Sequence, residues 1–175
     1  MRRVKLAELI FWKNSDSRKP LIIRGARQVG KTWIMKEFGK TQYAQTVYVN
    51  FEKNKRLRAL FSDDFDIKRI IVALQAESGL TINAETTLLI FDEIQEAPEA
   101  IAALKYFQED ANEYHIVAAG SLLGVAIHSH VSFPVGKVVF MDLQPLTFLE
   151  FLDAIGETAL VEIIHEKDWK LLTAY

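Results

Sequence analysis

The sequence predicts an α/β fold, a three-layer sandwich built on a parallel five-stranded sheet. Three observations carry this reading. Strand-like and helix-like stretches alternate along the chain. Two of the strand-like stretches, "TTLLIF" and "YHIVAAG", are apolar without a break. The first strand runs straight into "GARQVGKT", a glycine-rich turn leading into a helix. A strand buried on both faces reads as a continuous apolar run, which is the pattern of a parallel sheet covered by helices on each side.

Residues 1–19 are read as an N-terminal helical segment packed on the core, and 20–145 as the core itself. Residues 21–24 form the first strand and "TVYVNF", 46–51, the second, with a helix near Thr32–Phe38 between them. Asp66 is placed to cap a helix whose Ile67, Ile70, Ile71 and Leu74 share one face and which Gly79 stops. Residues 86–91 form the third strand, Pro98 opens a helix that runs to about Asp110, and "YHIVAAG" from Tyr114 is the fourth strand. "KVVFMDL", Lys137 to Leu143, is the fifth. Thr147 and Glu150 have the spacing of a capping box ahead of Phe148, Phe151, Leu152 and Ile155, so residues 146–175 are read as helices that follow the core.

With 175 residues, half of them apolar, one domain can bury about two thirds of its unfolded surface. The net charge of −2 advertises neither nucleic acid nor an anionic membrane. The distribution is uneven: nine basic and two acidic side chains lie between Met1 and Lys31, and eight acidic against one basic between Glu85 and Glu113. The absence of cysteine excludes disulfides, thiolate metal sites and thiol nucleophiles. Glu8 interrupts the apolar start, and the longest apolar stretch, "IVAAGSLLGVAI", is too short to span a bilayer, so a cytoplasmic protein without a membrane partner is expected.

"GARQVGKT" has the pattern G-x-x-x-x-G-K-[ST] in the context that phosphate binding requires, between a strand and a helix. Backbone N–H groups from Gly25, Ala26, Arg27, Gln28, Val29 and Gly30, continuing through Lys31, Thr32 and Trp33, are expected to surround phosphate oxygens. Lys31 would reach the β- and γ-phosphates, and Thr32 would offer its hydroxyl to Mg²⁺. Trp33 packs under the sheet or against the N-terminal segment, with adenine stacking as the lesser role.

"LLIFDE" ends a buried strand in two carboxylates, at the sheet edge where open α/β folds bind ligands. Asp92 is expected to hold the Mg²⁺ shell and Glu93 to orient and deprotonate a water that attacks the γ-phosphate. The 61 residues from Lys31 to Asp92 leave room for an inserted strand, which resembles additional-strand ATPases. In those enzymes a polar residue closing the next strand senses the γ-phosphate, and Ser121 stands there, alternatively as the start of a turn. Asn50 and Glu52 close the second strand and are read mainly as loop residues.

"LIIRGARQVGKT", "YVNFE", "LLIFDEIQ", "AAGSLLG" and "PVGKVVFMDLQPLTFLEFL" together resemble the prokaryotic AAA-domain ATPases that usually carry a C-terminal domain of uncharacterised role, from about Pro20 to Leu152. The resemblance implies an AAA+-like strand order 5-1-4-3-2, ATP and Mg²⁺ as ligands, and Lys31, Thr32, Asp92, Glu93 and Ser121 in the roles above. Members generally run to several hundred residues, so the expectation is that the helical lid and C-terminal domain are missing. A homo-oligomer or protein partner would engage through that missing part.

All eight arginines lie between Arg2 and Arg69, and Lys137 stands where related sequences often have arginine. Lysine lacks the planar guanidinium fork, so slow hydrolysis is expected. Arg24 and Arg27 flank the phosphate loop. The alternative is a nucleotide-controlled binding or signalling module with little catalysis, associated with DNA through the basic N-terminal segment and Trp12. A metabolite kinase fits the acidic pair less well, and a GTPase is disfavoured because Asn54-Lys55 continues into Arg56 and Leu57. His128 and His130 lack a third ligand and are read as loop residues.

Overall fold

A computed structural model describes residues 3–63, 65–120 and 134–174. Five strands form one parallel sheet: β1 (Leu21–Arg24), β2 (Gln45–Asn50), β3 (Thr87–Asp92), β4 (His115–Gly120) and β5 (Val139–Asp142). Their spatial order is β2-β3-β4-β1-β5, the expected 5-1-4-3-2 order met from the other edge. β1 and β3 therefore do not touch; β4 lies between them, with Ile22 level with Ala118 and Phe91 level with the same residue. This placement leaves a crevice outside the carboxyl ends of β1 and β3.

The helices are α1 (Lys5–Lys13), α2 (Lys31–Gln42), α3 (Lys55–Asp63), α4 (Ile67–Ser78), α5 (Pro98–Asp110), α6 (Phe148–Ala154), α7 (Thr158–His165) and α8 (Trp169–Ala174), with a 3₁₀ turn at Ile94–Glu96. The unbroken apolar strands sort cleanly between the two faces of the sheet. Leu89 and Phe91 of β3 and Ile116 and Ala118 of β4 pack with Phe61, Ile70, Leu74, Leu104 and Phe107 of α3, α4 and α5. Leu88, Ile90, Val117 and Ala119 face the other way, onto Leu9 and Trp12 of α1 and Ile34, Met35 and Phe38 of α2. Each fully buried large side chain contributes roughly 1.5–3 kcal/mol, so both faces are needed to hold the strands that carry the site.

Local signals place the ends. The Asp66 carboxylate accepts from the Lys68 and Arg69 amides and starts α4, and Gly79 ends it in the left-handed region. Thr147 and Glu150 form the reciprocal capping box of α6. α2 runs on past the expected Phe38 to Gln42, and α3 was not foreseen as a separate helix. Asn54, part of the Asn-Lys pair weighed above, accepts from the Leu57 amide at 3.1 Å and so begins α3. Among the described residues no helix is long and apolar enough to cross a membrane.

Candidate functional site

The phosphate-loop sequence connects β1 to α2, and its shape follows from close packing. A Cβ on Gly25 would sit 2.3 Å from the Leu143 carbonyl oxygen, so only glycine fits where the loop leaves β1. Gly30 stands at φ +93 as the residue before α2, and Gln28 takes φ 65 without a glycine's freedom. A left-handed non-glycine residue costs on the order of 1 kcal/mol, and such strain concentrates at functional sites. Val29 turns inward into the core, 7 % exposed.

Lys31 and Thr32 open α2 on the cavity side. The Lys31 ammonium donates to the carbonyls of Gly25 at 2.9 Å and Ala26 at 2.6 Å. Burial lowers its pKa, against the opposing pull of Glu93 and Asp92. Thr32 Oγ1 donates to Asp92 Oδ2 at 2.7 Å, across the width of the intervening β4. Two oxygens sixty positions apart in sequence thus converge at the carboxyl edge of the sheet, and Asp92 is only 2 % exposed there.

Asp92 has two further partners. Tyr48 of β2 donates its hydroxyl to Oδ2 at 2.8 Å, and the Glu93 amide donates to Oδ1 at 3.1 Å. Burial, together with the neighbouring carboxylates, pushes the Tyr48 phenol up to about 12, so it remains a donor throughout the neutral range. The Lys36 ammonium lies 3.9 Å above the Tyr48 ring and covers its other side. Glu93 itself takes φ 52 at the end of β3, which turns its side chain into the cavity, where Gln95 Nε2 donates to its Oε2 at 2.6 Å.

The cavity holds about 520 Å³ and is lined by Arg27, Gln28, Gly30, Lys31, Thr32, Trp33, Glu52, Glu93, Gln95 and Glu96. It therefore gathers most of the residues expected from the sequence. Trp33 lines it and also packs against the α1–α2 side of the core, and Glu52 faces it after all. Asn50 does not line the cavity; its Oδ1 accepts from the Lys53 amide at 3.0 Å and its Nδ2 donates to the Tyr48 hydroxyl at 3.4 Å. Ser121 and the His128–His130 pair lie outside the described residues.

The cations sort differently from the sequence expectation. Arg24 makes a two-pronged pair with Asp142 at 2.9 Å and lies over the Phe140 ring. Lys137 pairs with Glu109 at 2.8 Å. It precedes β5 at the amino edge of the sheet, so within one chain it does not stand beside Lys31. Trp12 is 7 % exposed and donates to the Lys19 carbonyl, which places it in the core and not on a surface that could meet DNA.

Arg3 was not foreseen. It is 5 % exposed, donates to the carbonyls of Val29 at 3.4 Å and Gln144 at 2.7 Å, and pairs with Glu150 at 3.4 Å. Glu150 also accepts from the Val4 amide and from its own capping partner Thr147. Burial alone would raise the Glu150 pKa, but these amides and Arg3 outweigh it and lower it. The N-terminal segment, the phosphate loop and α6 are thereby joined at one point.

Thr32 and Asp92 have the chemistry of magnesium ligands. Mg²⁺ takes oxygen ligands, is held by one or two carboxylates together with substrate phosphates, and retains several waters. The Thr32 hydroxyl, which lines the cavity, and the buried Asp92 carboxylate that it reaches supply oxygen ligands of that kind.

The chain is similar to solved structures. One is that of the Aeropyrum pernix ORC1 protein in complex with DNA, with a TM-score of 0.50 and 16% identity over 93% of this chain and 50% of that one. Another is C. elegans PCH-2, at a TM-score of 0.46 and 11% identity over 91% of this chain and 46% of that one. At that identity the likeness to the Aeropyrum pernix protein concerns the fold alone, and this chain spans about half the length of each. Among curated proteins none matches. The sequence profile of the AAA domain, AAA_14, matches residues 17–152, the stretch that holds the whole sheet, the phosphate loop and the Asp92–Glu93 pair, and the chain belongs to that family.

Proposed function

We propose that this chain binds ATP with Mg²⁺ and hydrolyses it slowly. The observation that carries the reading is the 2.7 Å contact between Thr32 and Asp92, with Lys31 buried beside it in a cavity large enough for a triphosphate.

The residues divide the work. On binding, the Lys31 ammonium exchanges the Gly25 and Ala26 carbonyls for β- and γ-phosphate oxygens, while loop amides and the start of α2 face the remaining charge. Thr32 and Asp92 would hold the magnesium ion, which supplies charge neutralisation to the β- and γ-phosphates. Glu93 takes a proton from the attacking water. Arg27 is the one arginine lining the cavity among the described residues, whereas Arg24 is occupied by Asp142 and Lys137 by Glu109. An arginine finger is worth about 10³ to 10⁵ in rate, so its shortage supports slow turnover.

The same shortage supports a second reading, a nucleotide-controlled binding or signalling module in which occupancy matters more than turnover. Nucleotide-dependent capture of a partner, with negligible phosphate release, distinguishes the two. Cytoplasmic location and a protein partner or homo-oligomer complete the proposal.

The experiment is calorimetry plus phosphate release on three proteins. Wild type is expected to bind Mg-ATP and to turn over well below about 10 s⁻¹, the enzyme median. Lys31→Ala is expected to lose binding, and Glu93→Gln to keep binding while blocking hydrolysis. Retained binding in the lysine variant overturns the site, and steady turnover at the enzyme median overturns the slow-hydrolysis reading.

A further inference from the structure

Gln95 lines the cavity beside the candidate general base, with half of its hydrogen-bonding capacity engaged. Its Nε2 donates to Glu93 Oε2 at 2.6 Å. Its Oε1 is buried and has no hydrogen-bond partner among the described residues, although the residue lines the cavity. The orientation of the amide follows from chemistry: a carboxylate only accepts, so the NH₂ group must face Glu93 and the carbonyl oxygen must face away. A buried acceptor without a donor costs about 1–3 kcal/mol, and each such group in a native fold calls for a reason.

The short turn that carries Gln95 is well anchored. Ile94 is fully buried, the Glu96 amide donates to the Glu93 carbonyl at 3.0 Å and the Ala97 amide to the Ile94 carbonyl at 3.0 Å. Arg58 of α3 pairs with Glu96 at 3.7 Å. The distance between the two side chains is therefore set by a fixed 3₁₀ turn, with Glu93 already committed to its left-handed backbone.

We propose that Gln95 is a positioning residue for the hydrolytic water. Its Nε2–H pins the Glu93 carboxylate through Oε2, and its Oε1 accepts the hydrogen of that water which Glu93 does not take. In the step, the water oxygen forms a bond to the γ-phosphorus, and the bond from that phosphorus to the β–γ bridging oxygen breaks with its electron pair left on ADP. One proton of the water goes to Glu93; the other stays on the transferred oxygen, held towards Gln95. With both hydrogens directed, the plane of the water is fixed and one of its two lone pairs is presented to phosphorus, and misorientation of a reacting group by about 1 Å costs on the order of 10²-fold.

The inference rests on the ATPase reading, and the test separates the two. ATP cleavage is followed in a single turnover with protein in excess, and ATP binding by calorimetry, for wild type, Gln95→Met, Glu93→Gln and the double variant. Gln95→Met is expected to slow cleavage about 10- to 100-fold with the ATP dissociation constant within about twofold of wild type. In the Glu93→Gln background the same change is expected to add nothing, because the two side chains act as a unit. Gln95→Glu, which keeps size and acceptor but loses the donor, is expected to slow cleavage as well and serves if the methionine variant does not fold. Unchanged or faster cleavage in these variants, or a full further loss in the Glu93→Gln background, overturns the proposal. Wild type that cleaves ATP and loses cleavage in Glu93→Gln alone overturns only the role of Gln95; wild type that neither binds nor cleaves ATP overturns the ATPase reading and this inference with it.

Discussion

Tyr48 donates its hydroxyl to Asp92 Oδ2 at 2.8 Å, the same oxygen that Thr32 reaches from the start of α2. The strand next to β3 thus fixes the rotamer of the carboxylate proposed to hold magnesium. Partners that orient a metal ligand commonly change metal affinity about 10- to 100-fold when removed. Tyr48→Phe is therefore expected to raise the magnesium concentration needed for half-maximal ATP binding about tenfold, with the fold retained. Calorimetric titration of ATP at graded magnesium concentrations checks this.

Gly25 and Gly30 frame the phosphate loop for different reasons, and alanine should tell them apart. At Gly25 the new methyl meets the Leu143 carbonyl oxygen at 2.3 Å, a backbone atom that cannot move aside. At Gly30 the nearest atom is Arg3 Nη1 at 3.9 Å, so only the φ of +93 is strained. Gly30→Ala is expected to cost about 1 kcal/mol and Gly25→Ala about 2–3 kcal/mol or more. Urea unfolding of both variants measures the difference.

Much of this site was legible because its signals are local. The glycines, Lys31 and Thr32 follow one another in the chain, and Asp92 and Glu93 close an unbroken apolar strand. The order of the strands came from family resemblance, since apolar runs alone do not say which strand sits beside which. What sequence reading missed is non-local. Tyr48 alternates with buried Val47 and Val49 and so reads as a solvent-facing residue of β2, yet its hydroxyl curls back to Asp92. Arg3 and Glu150 are 147 positions apart, and no periodicity joins them. α3 carries its apolar stripe, Leu57, Leu60 and Phe61, among basic residues over only nine positions, too short to stand out.

The Arg3–Glu150 pair is buried at both ends, and its two halves are unequal. Without Arg3, Glu150 still accepts from the Val4 and Thr147 amides. Without Glu150, a buried guanidinium loses its counter-charge and α6 loses its capping box. Breaking a buried pair costs about 3–5 kcal/mol when a charge is stranded. Glu150→Ala is expected near that range and Arg3→Ala below it, as read from denaturant midpoints.

His115, buried with Tyr43 and near the cations of Arg18 and Lys13, is held neutral down to about 4, desolvation being the largest cause. The unfolded chain protonates it from its ordinary value of 6.5, so between those values the unfolded state binds more protons. Stability from this group is complete above 6.5 and is lost as pH falls towards 4. The melting temperature is expected to decline across that window, and His115→Phe to flatten the decline while lowering stability at neutral pH by about 1–3 kcal/mol through the orphaned Tyr43 hydroxyl. Thermal unfolding of both proteins from pH 7.5 to 4 follows this.

The central claim is that a triphosphate and a magnesium ion meet between Lys31, Thr32 and Asp92. Calorimetric titration of ATP into wild type with magnesium and with a chelator tests it most directly, alongside Asp92→Ala with magnesium. The account predicts saturable binding that weakens at least tenfold both in chelator and in the variant; equal affinity in all three titrations, or no binding by wild type, contradicts it.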